Sequence, residues 1–311
     1  MWKGPCLQLL NASGCLDALT APEVARELDA FVTKTVTPLP REGNAPVRIA
    51  ETELGMLNAI GLANPGVDAF VAEHLPQLGQ LSVALWVSVG GFAVDDYVHV
   101  ARRVGACDEV EALELNLSCP NVDEVPENVG EVVAAVRAVT TKPLYAKLSA
   151  AVADLGATAC AAEAAGADGL SLVNTVRGLA LDERTLRPVL ARATGGLSGP
   201  ALRPIALAAV HTCFCETRLP IVGMGGVATG RHALELIAAG ATDVAVGTAL
   251  FSDPGAAARI RSELQAELAA VGFVNADNAI GAAHAPADGT LDPRSRLSSP
   301  KSLHMQTNLV G

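Results

Sequence analysis

The chain has 311 residues, with 22 Lys plus Arg against 33 Asp plus Glu, and a formal charge of −11. Half of the residues are hydrophobic but only 3% are aromatic, so the apolar content is mostly Ala, Val and Leu. This excludes a disordered chain, and the acidic balance and few aromatics argue against a nucleic-acid binder or a stacking platform for sugars.

Eight short β-type runs recur along the chain, at 7–10, 30–33, 82–87, 112–115, 144–146, 169–173, 220–222 and 243–246. Ala-rich helical patterns fall between and after them, at 22–29, 66–73, 94–104, 127–139, 153–165, 201–213, 230–239 and 254–271. Thr229 marks the start of the seventh, and Pro254 sits in the first turn of the last. Such alternation predicts an α/β fold with parallel strands and helical crossovers. Eight units within about 260 residues predict a closed (β/α)8 TIM barrel, placed at 1–273. An open doubly wound sheet is the alternative. Two segments break the repeat. Residues 35–65 form a long excursion after the second strand, of the kind that more often serves function than not. Residues 274–311 are polar and aperiodic, and are expected to be a disordered tail.

The opening MWKGPCLQLLNASG is too short and broken for a signal peptide. No run approaches the roughly 20 apolar residues of a membrane span. Seven scattered cysteines without a paired CxxC predict no zinc ribbon, no iron–sulfur site and no metal in this chain. They point to a reducing cytoplasm, with Cys213 and Cys215 as thiols on a helix face.

Polar residues follow every strand. The first runs into Asn11-Ala12-Ser13-Gly14, the second ends in Lys34-Thr35, and the third leads to Ser88 and Gly91. The fourth gives Asn116-Leu117-Ser118-Cys119-Pro120-Asn121, the fifth Lys147, and the sixth Val173-Asn174-Thr175. The seventh gives Gly223-Met224-Gly225-Gly226 and the eighth Gly247-Thr248. In a parallel barrel these ends converge on the face where active sites form. The glycines after the last two strands, each ahead of a helix, expose backbone N–H groups suited to a phosphate. Lysine in a barrel mouth calls for an anion. Lys34 and Lys147 can therefore bind a carboxylate or stabilise a reduced flavin, and a Schiff-base role is chemically open. Cys119, between two asparagines, can act as base or nucleophile.

The segment 116–121 resembles the signature of class 1 dihydroorotate dehydrogenases. The resemblance continues through VTKTVTPLPREGNAPVRIAET, GMLNAIGLANPG, AKLS, LSLVNT, GGLSGPALRPIAL, GMGG and VGTALF, over residues 7–262. The stretch Gly195 to Ala201 looks most like class 1B, whose catalytic chain works with a subunit carrying FAD and an iron–sulfur cluster that passes electrons to NAD. Cysteine rather than serine at 119, and no N-terminal membrane helix, point away from the quinone-linked class 2.

The resemblance implies an FMN-dependent barrel, expected as a cytoplasmic homodimer, that oxidises (S)-dihydroorotate to orotate in pyrimidine synthesis. Cys119 and Lys147 would be catalytic. Lys34, Asn58, Ala59, Ile60, Gly61, Leu62, Asn116, Asn121, Asn174 and Thr175 would surround the substrate. Ser13, Lys34, Thr35, Ser88, Asn116, Lys147, Val173, Gly199, Gly225, Gly226, Gly247 and Thr248 would hold FMN.

Three departures accompany it. The loop after Asn121 is roughly seven residues shorter than the family's, in a segment that covers the substrate. Ser88 stands where an asparagine facing the flavin is usual. The first barrel strand begins almost at residue 1, where the family has a short β-hairpin. The competing readings are an FMN enzyme for another cyclic amide, a Schiff-base lyase using Lys147, and a non-catalytic paralogue.

Overall fold

The computed structural model describes residues 7–118 and 128–284. Cys119 and Asn121 lie outside the described residues, as do 285–311. Strands buried on both faces read as continuous apolar runs, and such runs pair in parallel when helices cover the sheet. Eight of them close a barrel: β1 (Leu9–Asn11), β2 (Ala30–Val32), β5 (Ala84–Val89), β6 (Ala112–Asn116), β7 (Leu144–Leu148), β8 (Gly169–Leu172), β11 (Ile221–Met224) and β12 (Asp243–Val246). The ring order is β1-β12-β11-β8-β7-β6-β5-β2, all parallel. The (β/α)8 expectation holds, and the open-sheet alternative falls.

The helical wall comprises α1 (Pro22–Arg26), α2 (Val67–Ala69), α3 (Leu75–Leu78), α4 (Val94–Gly105), α5 (Val129–Arg137), α6 (Leu155–Ala164), α7 (Arg203–Glu216), α8 (Gly230–Ala239), α9 (Ala249–Ser252) and α10 (Ala256–Ala270). Side chains start several of these helices. Asn128, Asp154 and Thr229 accept from the N–H groups of Glu131, Ala157 and His232, which satisfies donors that the first turn leaves unpaired. Between α2 and α3 the backbone loosens into a π-type turn, Phe70–His74. Pro76 follows there, with no N–H to give to the preceding turn. The third strand begins two residues later than its apolar run, because Gly79–Leu81 forms a 3-10 turn and Ser82 takes a left-handed conformation. The fifth strand runs two residues further than its run, so Lys147 lies inside the strand, one residue before its C-terminal end.

Two apolar layers result. The large one lies between strands and helices. A smaller one fills the barrel, with Leu10, Val32, Trp86, Tyr145, Val222 and Met224 among its members. The Trp86 and Tyr145 rings meet at 4.3 Å between centroids. Gly169, opposite Tyr145 across β7 and β8, makes this possible: a Cβ there would lie 2.3 Å from the Tyr145 ring. Burial pushes the Tyr145 phenol above its ordinary pKa, with Asp243 and Asp168 adding to the effect.

Three segments differ from the sequence reading. The excursion at 35–65 contains a hairpin, β3 (Ile49–Thr52) and β4 (Gly55–Asn58). After the sixth barrel strand come β9 (Val176–Leu179) and β10 (Thr194–Ser198), and the four form an antiparallel sheet in the order β3-β4-β10-β9. At the far end, part of the expected tail is ordered. Residues Ala276–Ala279 form α11, Ala282–His284 form a 3-10 turn, and Ala279 is fully buried.

Gly169→Ala tests the aromatic floor. Forcing a methyl group into the Tyr145 ring is expected to destabilise the fold by about 1–3 kcal/mol in chemical denaturation, and an unchanged midpoint would contradict the packing.

Candidate active site

The C-terminal ends of the barrel strands open into a cavity of about 490 Å³, roofed on one side by the β3-β4-β10-β9 sheet. The structure brings most of the expected residues to it. From the strand ends come Ser13, Lys34, Thr35, Asn116, Lys147, Val173, Asn174 and Thr175, and from the last two barrel loops Gly225, Gly226, Gly247 and Thr248. The added sheet and its flanks supply Asn58, Ile60, Leu62 and Gly199.

Three expected residues do not line the cavity. Asn58, Ile60 and Leu62 line the cavity, while the chain turns through positive φ at Gly61 and Leu62, and hydrogen bonds tie Ala59 and Gly61 to the loop carrying Arg41 and Asn44. The Ala59 carbonyl accepts from Asn44 Nδ2 at 2.9 Å, and the Gly61 carbonyl from Arg41 Nε at 3.3 Å. Gly61 holds a φ of +76°, and a Cβ there would meet Asn44 at 2.7 Å. Ser88 is fully buried one layer below the cavity, its hydroxyl 2.9 Å from Thr35 Oγ1.

Beneath the cavity lies an ion pair. Lys147 Nζ donates to Glu114 Oε1 at 3.2 Å, with side-chain exposures of 6% and 1%. Glu114 was not singled out in the sequence, although a lone carboxylate inside the apolar run ALELN was the available signal. Taking either charge out of water alone is very costly, so each ionised group requires the other.

Above the pair runs a connected polar chain. Asn116 Nδ2 donates to Thr35 Oγ1 at 3.0 Å, and Asn174 Nδ2 donates to Asn116 Oδ1 at 2.9 Å. Thr175 N donates to Asn174 Oδ1 at 2.8 Å, and Tyr97 Oη to the Asn116 carbonyl at 2.9 Å. Ser118 Oγ ties the start of the loop to the Lys147 carbonyl at 3.1 Å. These bonds fix the asparagine amides in one orientation before any ligand arrives. Lys34 reaches over Gly14, which has a φ of +79° and whose Cβ would crowd Nζ at 3.2 Å. Desolvation pushes the nearby Cys15 thiol above its ordinary pKa against the pull of Lys147 and Lys34.

The opposite end of the cavity is built from glycine. Gly225 and Gly226 have φ of +126° and +72°, and Gly199 has +90°. A Cβ at these positions would strike Ala206, Arg203 and Gly55 within 2.8 Å. The Thr248 hydroxyl donates to Ser198 Oγ at 2.9 Å. Arg259 stands at the mouth, paired with Asp253 at 2.8 Å and Glu263 at 2.9 Å. Cys15, Ser198 and Arg259 went unmarked in the sequence. Ser198 has a local signal beside Gly199, whereas Arg259 reaches the mouth only because α10 closes the barrel.

Glu114→Leu, which leaves Lys147 buried and unpaired, is expected to cost about 3–5 kcal/mol in urea denaturation, and adding Lys147→Met is expected to recover most of the loss. A double variant as unstable as the single one would show that the pair is not the source.

The chain matches the family model described as dihydroorotate dehydrogenase over residues 5–268. It is 46% identical over 264 residues to a protein of Desulforudis audaxviator named dihydroorotate dehydrogenase B (NAD(+)), catalytic subunit, covering 83% of this chain and 86% of the relative. A protein of the same name from Listeria monocytogenes is 46% identical over 275 residues, covering 85% and 90%. In Anoxybacillus flavithermus the like-named protein is 45% identical over 277 residues, covering 85% and 88%. Among solved structures, the dihydroorotate dehydrogenase of Eimeria tenella, crystallised with ferulenol, superposes with a TM-score of 0.76 at 25% identity, covering 89% of this chain and 85% of that one. The chain belongs to the dihydroorotate dehydrogenase family, among its class 1B catalytic subunits.

Proposed function

We propose that this chain oxidises (S)-dihydroorotate to orotate in pyrimidine biosynthesis, with FMN bound in the barrel mouth. The observation that carries the proposal is the convergence of Lys34, Asn58, Asn116, Asn174 and Thr175 on one cavity above the Lys147–Glu114 pair. Dihydroorotate presents a carboxylate and an imide-like ring. One cation and several amides, each offering donor and acceptor, match that pattern.

The residues present also fit FMN. The glycines at 199, 225 and 226 line the cavity with positive φ, and their backbone N–H groups suit a phosphate. The Ser198 and Thr248 hydroxyls add polar partners there. Lys147 places a fixed positive charge below the cavity, suited to the electron-rich edge of a flavin, and Thr35 and Asn116 present polar atoms beside it. Bound FMN supplies an acceptor, at N5, for a hydride and its electron pair.

Lys34 anchors the substrate carboxylate. Asn58, Asn116 and Asn174 orient the ring by its N–H and C=O groups. By the family resemblance, Cys119 as thiolate takes the C5 proton. The C5–H electron pair becomes the C5=C6 double bond as the C6 hydrogen leaves with its own pair. A C–H next to a carbonyl is weakly acidic, and a placed base contributes about 10²–10⁴ in rate.

Several relatives are named catalytic subunits. In this reading a partner carrying FAD and an iron–sulfur cluster takes the electrons onward to NAD, in the cytoplasm. The added sheet and its loops expose Val47, Ile49, Leu179, Leu181 and Leu186. That apolar surface is suited to a second copy of the chain, giving a homodimer. Among the described residues no helix is long and apolar enough to cross a membrane.

The purified protein is expected to be yellow, and Cys119→Ser is expected to slow dihydroorotate oxidation by about 10²–10⁴ at neutral pH while FMN stays bound. Turnover that survives Cys119→Ser unchanged would remove this cysteine from the reaction, and a colourless protein that refuses FMN would overturn the reading.

A further inference from the structure

A second cluster of chemically competent side chains lies on the outer wall of the barrel, and none of its members lines the flavin cavity. His211 and Cys215 stand one helical turn apart on α7, so their side chains share a face. The 3-10 turn Ala282–His284 brings His284 to the same place. One ligand atom from each of the three lies within 4.8 Å of the others.

The protonation of His284 is set by its neighbours. Its Nε2 lies 2.8 Å from the Ala239 carbonyl, which can only accept, so Nε2 carries the proton. Nδ1 then presents a lone pair to Cys215 Sγ at 3.3 Å. This is the arrangement of a metal-bound imidazole, whose remote N–H is held by a carbonyl while the other nitrogen faces the ion. For sulfur and nitrogen at two corners of a tetrahedral zinc site, bonds of about 2.3 and 2.0 Å imply a separation of roughly 3.5 Å. The observed distance is close to that edge.

The surroundings are built to seat this histidine. The Phe214 ring backs His284 at 4.7 Å between centroids. Gly240 and Gly281, with φ of +122° and +74°, leave room for Phe214, since a Cβ at either would strike its ring within 2.6 Å. Gly281 N donates to the Ile237 carbonyl at 3.1 Å, locking the turn to α8. The exposed His211 ring stacks on His284 at 3.9 Å. One ring nitrogen of His211 lies within 4.8 Å of the other two ligand atoms, and its exposure leaves the side chain room to adjust.

We propose that His211, Cys215 and His284 form a zinc site that fastens the segment after α10 to helices α7 and α8. A mixed imidazole and thiolate set selects a borderline-soft divalent ion. Three protein ligands leave the fourth corner to water. Binding releases the Cys215 thiol proton to solvent, and no oxidant or reductant is involved. None of the three residues lines the cavity at the barrel mouth, so the site is separate from the proposed oxidation.

The test is cobalt titration of the full-length chain after chelator treatment. A thiolate-to-cobalt charge-transfer band is expected to saturate at about one equivalent and to be displaced by zinc. Cys215→Ser abolishes the band, His284→Gln and the exposed variant His211→Ala each weaken binding on the order of 100-fold, and Cys119→Ser leaves the band in place. Zinc raises the Tm of the unmodified chain and not of Cys215→Ser. A band that survives Cys215→Ser, or no band at millimolar cobalt, overturns the proposal and leaves the cluster as stacked packing.

Discussion

The barrel is organised around one buried ion pair. Lys147 and Glu114 sit on neighbouring strands, between an aromatic floor made by Trp86 and Tyr145 and a polar mouth. A charge at that depth is tolerated only with its partner in place, so the pair ties the registers of β6 and β7 to a single arrangement. It also sets what the mouth can hold. Asn116 lies beside Lys147 in register, and the chain from Ser88 through Thr35, Asn116 and Asn174 is built outward from that level. A cation fixed below and pre-oriented amides above favour a planar, electron-accepting ligand with a polar cyclic substrate on top of it.

Charge at the mouth works against the protein as a whole. With a formal charge of −11 the average field repels an anionic substrate. Capture therefore falls to local cations, above all Lys34, whose approach depends on the missing side chain of Gly14. The glycine-rich part of the mouth relies on backbone rather than charge: Gly199, Gly225 and Gly226 hold positive φ, and a Cβ at each would strike Gly55, Ala206 or Arg203. The low aromatic count is consistent with both. The barrel is packed with Ala, Val and Leu, and its two interior rings form the floor rather than a stacking platform.

The eight barrel strands were legible because a short apolar run with a polar residue at its end is a local signal. Their C-terminal ends carried most of the cavity for the same reason. What was missed depends on distant parts of the chain. The hairpin at Ile49–Thr52 and Gly55–Asn58 carries charges and half-exposed residues, and its partner strand Thr194–Ser198 comes much later in the chain. Glu114 was concealed because its partner is on another strand. Ser88, Ala59 and Gly61 were placed by motif, while burial at Ser88 and ties from Ala59 and Gly61 to Asn44 and Arg41 keep them off the cavity lining. Residues Ala276–Ala279 lack periodicity yet pack by way of Ala279 and Gly281 against α7 and α8, which only the folded barrel supplies.

The central claim is that this mouth passes a hydride from dihydroorotate to a bound flavin. The most direct test is anaerobic titration of the FMN-loaded protein with (S)-dihydroorotate, following flavin absorbance and orotate together. The account predicts bleaching of the oxidised flavin with about one orotate formed per flavin reduced. Tightly bound flavin that stays oxidised in excess dihydroorotate would contradict it.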